Sequence, residues 1–213
     1  MKKGIFIITA FLLYCALGGD PALAQGYAPP NVNAQSAILM EQGTGKVLYA
    51  KNERQRMYPA SITKVLTAIV ALEYLDPEEI VTTGTEVNAV PYDSSTAGHL
   101  VGESLKVENL IRGLFIPSGN ETGCVAAAAV VKKAGYGESM AYGEIERIFS
   151  NILNEKAREL GAMDTNFVNP HGYHDANHYT TAYDAALFCS AAMENELIRR
   201  IAGETEFYGN GAG

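Results

Sequence analysis

Apolar and polar residues alternate over 37–42 and again over 46–50, on either side of Gly43-Thr44-Gly45. That is the pattern of two half-buried strands joined by a hairpin turn, opening a sheet. The period then changes. Residues 65–72 are almost uninterruptedly apolar and follow Ser61, so 61 to about 75 reads as a buried helix stopped by Asp76-Pro77. Gly84, Pro91, Gly98 and Gly102 break 79–104 into short strands and turns. Apolar residues at helical spacing over 107–116 predict a second helix, ended by Pro117. Ser118 begins a third that runs through 126–131, with Glu121 three residues on as in a capping box. An amphipathic stretch over 138–160 closes at Gly161, and a turn-rich loop over 165–180 leads into a helix from Thr181 to Met193.

The first residues follow a different logic. Lys2 and Lys3 precede an apolar run from Ile5 to Leu17, and Ala22-Leu23-Ala24 follows, so residues 1–24 read as a secretory signal peptide. The run is short for a membrane span, and Tyr14 is too large for the position before Cys15 in a lipoprotein signal. Residues 25–35 form a Pro/Asn/Gln-rich linker, and 36–213 form the folded part. The formal charge is −8, and removing 1–24 takes away two lysines and Asp20, one unit more negative. An acidic exported domain with no basic cluster is not a nucleic-acid binder. Cys124 and Cys189 each sit in an apolar helical run and read as small buried hydrophobes. An oxidising compartment permits a disulfide between them, which the sequence does not decide. His171, His174 and His178 invite a metal reading, but their loop is rich in turn residues where a zinc site wants rigid elements. No metal or cofactor is expected.

Chemistry concentrates in Tyr58-Pro59-Ala60-Ser61-Ile62-Thr63-Lys64-Val65. At a three-residue spacing a helix brings Lys64 onto the face that carries Ser61. A serine hydroxyl is a weak nucleophile until a neighbouring base takes its proton, and lysine serves as that base only where burial lowers its pKa. Ser-x-x-Lys recurs by chance, and Ser118-x-Asn120 alone reads more simply as a helix cap. Here Ser61 opens a buried helix, where the positive end favours a developing oxyanion and the Ser61 backbone N–H can donate to it. Together the two motifs point to acyl transfer.

These residues resemble the serine D-alanyl-D-alanine carboxypeptidases, the low-molecular-mass penicillin-binding proteins of the peptidase S11 family, relatives of class A β-lactamases. The likeness extends through 36–41, 43–49, Ser118-Gly119-Asn120-Glu121, Asn169-Pro170-His171-Gly172 and 178–184. It implies an α/β, β-lactamase/transpeptidase-like fold: an antiparallel sheet flanked by helices, a mostly helical lobe over roughly 82–185, and a site between lobes. It implies Ser61 as nucleophile, Lys64 as general base, Ser118 as proton relay and Asn120 as substrate-binding residue, acting on a peptidoglycan stem peptide ending in D-Ala-D-Ala. β-Lactam antibiotics would acylate the same serine, and the enzyme would work in the cell envelope outside the cytoplasm.

The family's third motif, a Lys-Thr-Gly strand, does not occur, and Lys156 is the last lysine. In the family that strand holds the substrate carboxylate and leads to the second oxyanion donor, whose loss costs about a hundredfold to a thousandfold. The chain therefore reads as part of a longer protein, C-terminally incomplete. It is expected to be of low stability alone, with membrane association left to a C-terminal segment it lacks. A β-lactamase is disfavoured because Ser150 stands where Glu-x-x-Leu-Asn needs its glutamate. A DD-endopeptidase and a wall-binding pseudoenzyme remain as alternatives.

Overall fold

The computed structural model describes residues 30–137 and 140–205. The signal-peptide reading of 1–24, the first part of the linker and the Gly-rich stretch 209–213 lie outside the described residues. Strands β1 (Ala37–Met40) and β2 (Val47–Lys51) pair antiparallel with Leu39 opposite Tyr49 and an irregularity between Leu39 and Met40. Gly43 and Gly45 hold positive φ in the connecting turn, which an L side chain resists. A 3-10 turn over Ala60–Ile62 runs into helix α1 (Thr63–Tyr74), and β3 (Ile80–Thr82) then pairs antiparallel with β4 (Ser104–Lys106). Helices α2 (Val107–Phe115), α3 (Asn120–Lys133), α4 (Tyr142–Glu159), α5 (Ala182–Glu194) and α6 (Glu196–Ala202) complete the order.

Helix α1 is the hub, in contact with α2, α3, α4 and α5, while β1 rests on α5. Its apolar run makes this arrangement favourable: Leu66, Ala68, Val70 and Ala71 are all fully buried, against Val125, Val130, Phe149, Leu153 and Phe188 of the surrounding helices. At roughly 25 cal/mol per Å² of apolar surface removed from water, such a helix is held by packing rather than by propensity. The described residues from Ala34 onward form one packed unit. Among the described residues the strands form two separate two-stranded ribbons rather than one sheet.

Several boundaries differ from the expectation. The capping box at Ser118 is not formed. Ser118 has φ +57, Gly119 takes the N-cap position without a side-chain bond, and Glu121 turns its carboxylate to the 97–99 backbone instead. A left-handed residue two positions before the helix cannot aim its hydroxyl at the helix amides. Ser61 falls in the 3-10 turn, and the α-helix starts two residues later. Helix α6 was not expected. Asn195 accepts from the Ile198 amide to start it, Ile198 and Ile201 bury one face, and Arg112 of α2 grips Glu204 just beyond it, at 2.8 Å from Nε. Both cysteines are free thiols.

Candidate active site

Three segments converge on one ammonium. The 3-10 turn and α1 carry Ser61 and Lys64, the turn before α3 carries Ser118 and Asn120, and the 165–180 loop contributes a main-chain carbonyl. Lys64 Nζ lies 3.1 Å from Ser61 Oγ, 3.3 Å from Ser118 Oγ, 2.7 Å from Asn120 Oδ1 and 2.9 Å from the His171 carbonyl oxygen. Ser118 Oγ and Ser61 Oγ are 2.9 Å apart. Lys64 is only 1% exposed, while Ser61 faces solvent. An ammonium has three protons and here meets four acceptors, so the two short contacts to Asn120 and His171 are satisfied first. The two hydroxyls share what remains. In the neutral amine those same two acceptors take both N–H groups, and the lone pair is left facing the serines.

Burial lowers the Lys64 pKa to about 8; charges on Glu121 and Cys124 act in the opposite direction. Burial also pushes the Cys124 thiol up to about 12, so it is uncharged where Lys64 titrates, and Glu121 is the counter-charge that remains. Lowered this far, Lys64 is available as a base near neutral pH, as a solvated lysine is not.

The 165–180 loop backs the site through hydrogen bonds that sequence reasoning missed. Thr67 donates to the Pro170 carbonyl at 2.6 Å, and Asn169 Oδ1 accepts from the Gly172 amide at 2.7 Å. His178 Nδ1 accepts the Val168 amide at 3.1 Å, which leaves its proton on Nε2 to meet Thr63 Oγ1 at 2.8 Å; Thr63 in turn donates to the Ala60 carbonyl. His171 Nδ1 likewise accepts the Tyr173 amide. Both rings are thereby held neutral, and burial takes the His178 pKa down to about 4 and that of His171 to about 3, the Lys64 charge adding to the latter. His174 instead meets Tyr58 edge to face. The three histidines thus point to three different tasks, and among the described residues no group of three metal-ligating side chains gathers.

Gly172 closes the assembly. Its φ is +87, and a Cβ there would collide with the Ala60 carbonyl oxygen, so the loop can press on the Ser61 turn only at a glycine. The sequence did carry one signal of this, the Asn169-Pro170-His171-Gly172 segment, without indicating what it touches.

A serine pair around a buried lysine, where the start of a central helix meets the turn before a second helix and a backing loop, defines the class: this is the transpeptidase fold of the penicillin-binding DD-peptidases. Solved structures agree, among them penicillin binding protein 6B from Escherichia coli (TM-score 0.75, 29% identity, covering 87% of this chain and 58% of that one). Penicillin binding protein 5 from Haemophilus influenzae aligns at TM-score 0.74 and 28% identity over 87% of this chain and 53% of that one. The model of the D-alanyl-D-alanine carboxypeptidase family, peptidase S11, matches residues 24–208, and the chain belongs to that family. It is 35% identical to D-alanyl-D-alanine carboxypeptidase DacF of Bacillus subtilis over 82% of this chain and 43% of that protein. To DacD of Escherichia coli it is 32% identical over 98% of this chain and 51% of that protein. The chain spans about half the length of these curated relatives.

Proposed function

We propose that the protein is a serine-type D-alanyl-D-alanine carboxypeptidase that removes the terminal D-Ala of peptidoglycan stem peptides in the cell envelope, reached through the signal peptide at 1–24. The observation that carries this is the single lysine nitrogen within reach of both Ser61 and Ser118 while Asn120 and a backbone carbonyl fix its orientation.

In this reading Ser61 Oγ attacks the penultimate D-Ala carbonyl as its proton passes to Lys64. The Ser61 amide, in the first turn ahead of α1 where early N–H groups are not consumed by the helix, supports the oxyanion. Collapse of the tetrahedral intermediate breaks the peptide bond, and the departing D-Ala nitrogen takes a proton from Lys64 relayed through Ser118. Asn120 binds a substrate carbonyl through its amide N–H while its oxygen holds Lys64. Water then hydrolyses the acyl-enzyme, with Lys64 again the base. A β-lactam acylates Ser61 by the same first step.

The test is intact mass after incubation with a fluorescent penicillin. One adduct is expected, lost in Ser61→Ala and formed about a hundredfold to ten-thousandfold more slowly in Lys64→Met, the range for removing a general base. An adduct that survives Ser61→Ala would refute the assignment.

A further inference from the structure

Glu121 is 2% exposed, and its surroundings are unusual for a carboxylate at the start of a helix. Oε1 accepts from three successive amides, Ala97 at 2.6 Å, Gly98 at 2.8 Å and His99 at 3.4 Å. Oε2 is buried with no hydrogen-bond partner. Three N–H donors converging on one oxygen make an anion cradle, formed by the protein's own loop around its own side chain. That loop also touches the catalytic turn directly: the Ser95 carbonyl accepts the Asn120 amide at 2.8 Å, and at Gly119 a Cβ would press on the Ala97 nitrogen.

The placement is specific. Asn120, one residue earlier, is the shortest contact of Lys64 Nζ, so the carboxylate stands directly behind the residue that holds the base. The charged or titratable groups acting on Lys64 are Glu121 and Cys124 from α3 and His171 from the backing loop. The thiol and the imidazole are both uncharged near neutral pH, which leaves one anion.

We infer that Glu121 is a positioning residue for the catalytic set: its buried carboxylate pins the 97–99 loop onto the Ser118–Asn120 turn and supplies the counter-charge against which Lys64 exchanges its proton. The second role rests on the acyl-transfer reading for its purpose, since Lys64 must both take a proton from Ser61 and return one to the leaving nitrogen. A base stripped of its counter-charge takes protons poorly and lets the cycle stall at the first transfer.

Two variants separate the roles. Glu121→Gln keeps the reach and the accepting oxygen and loses the charge; Glu121→Asp keeps the charge and is one methylene too short. The Lys64 titration, followed by the 13C shift of its ε-carbon, should move down by about one pH unit in the Gln variant, with the acid limb of penicillin acylation moving alongside it. Amides 97–99 should keep their protection from hydrogen exchange. In the Asp variant those amides should exchange about tenfold faster or more, with the Lys64 titration near its original position. A Gln variant that titrates like the parent overturns the charge role, and an Asp variant with unaltered protection overturns the pinning role. Should the parent form no Ser61 adduct, the carboxypeptidase reading fails by itself, and the carbon shifts and exchange rates still decide the role of Glu121.

Discussion

Lys64 is a cation enclosed almost completely by neutral oxygens, and its chemistry follows from that enclosure. On the proposed mechanism acylation of Ser61 draws on the neutral amine, so below the Lys64 pKa of about 8 the rate should fall tenfold per pH unit, and above it the rate should level off. A rate flat between pH 6 and 8 would count against Lys64 as base. Asn120→Asp sharpens the test. It would place a carboxylate oxygen at the 2.7 Å contact, favour the ammonium strongly, and cut acylation at pH 7 by about tenfold or more, with recovery at alkaline pH. The hydrogen-bonding partners of this lysine were partly legible in the sequence: Ser61, Ser118 and Asn120 stand in two short motifs. The His171 carbonyl was not, because any residue offers a carbonyl and only the folded loop says which one arrives.

At the level of elements, the pattern of apolar positions located both hairpin strands and the helices α1 to α5 to within a few residues. A segment that packs on one side keeps its period of burial in the sequence, and one packed almost all round, like α1, shows as an unbroken apolar run. What it misplaced were ends. Ser118 looked like a cap because Ser-x-x-Glu is a cap wherever the serine is extended; a left-handed serine is not. Short α6 escaped because seven residues hold too few turns to show a period. The pressing of the 165–180 loop on the Ser61 turn also has a measurable strength. Gly172→Ala adds a Cβ where the Ala60 carbonyl oxygen sits, in a backbone region unfavourable to L residues. It should cost about 3 kcal/mol or more in a denaturant titration and abolish the Ser61 adduct. A stable Gly172→Ala protein that still reacts with penicillin would mean the loop and the turn are independent.

For the whole molecule the two neutral histidines govern behaviour in acid. Each has a folded pKa below the 6.5 of the free side chain, so between pH 6.5 and about 4 the unfolded chain binds protons that the folded chain does not. Stability is then fully present above pH 6.5 and declines as the pH falls, by about 1.4 kcal/mol per pH unit for each histidine. Glu204 continues the trend further down. Arg112, donating to it, holds its carboxyl below the usual carboxylate range, so the stability the pair lends is lost as Glu204 protonates at lower pH. Melting temperatures at pH 7 and 5 should differ by many degrees, and His178→Asn should start lower and lose less over the same interval. Equal melts at the two pH values would remove this account.

The backbone around Ser61 has a consequence for how the protein would change under selection. Among the described residues three non-glycines have a left-handed backbone, and two of them are Ala60, which precedes Ser61, and Ser118, which carries the second hydroxyl of the site. Glycine at either would relieve about 1 kcal/mol of strain. A pool of variants bred only to survive heat should therefore accumulate glycine at both positions. At 60 the change leaves the serine hydroxyls in place, but at 118 it deletes one of them. Sequencing position 118 in the surviving pool would thus reveal what the pool had been selected for: glycine where endurance alone was rewarded, serine where the chemistry was.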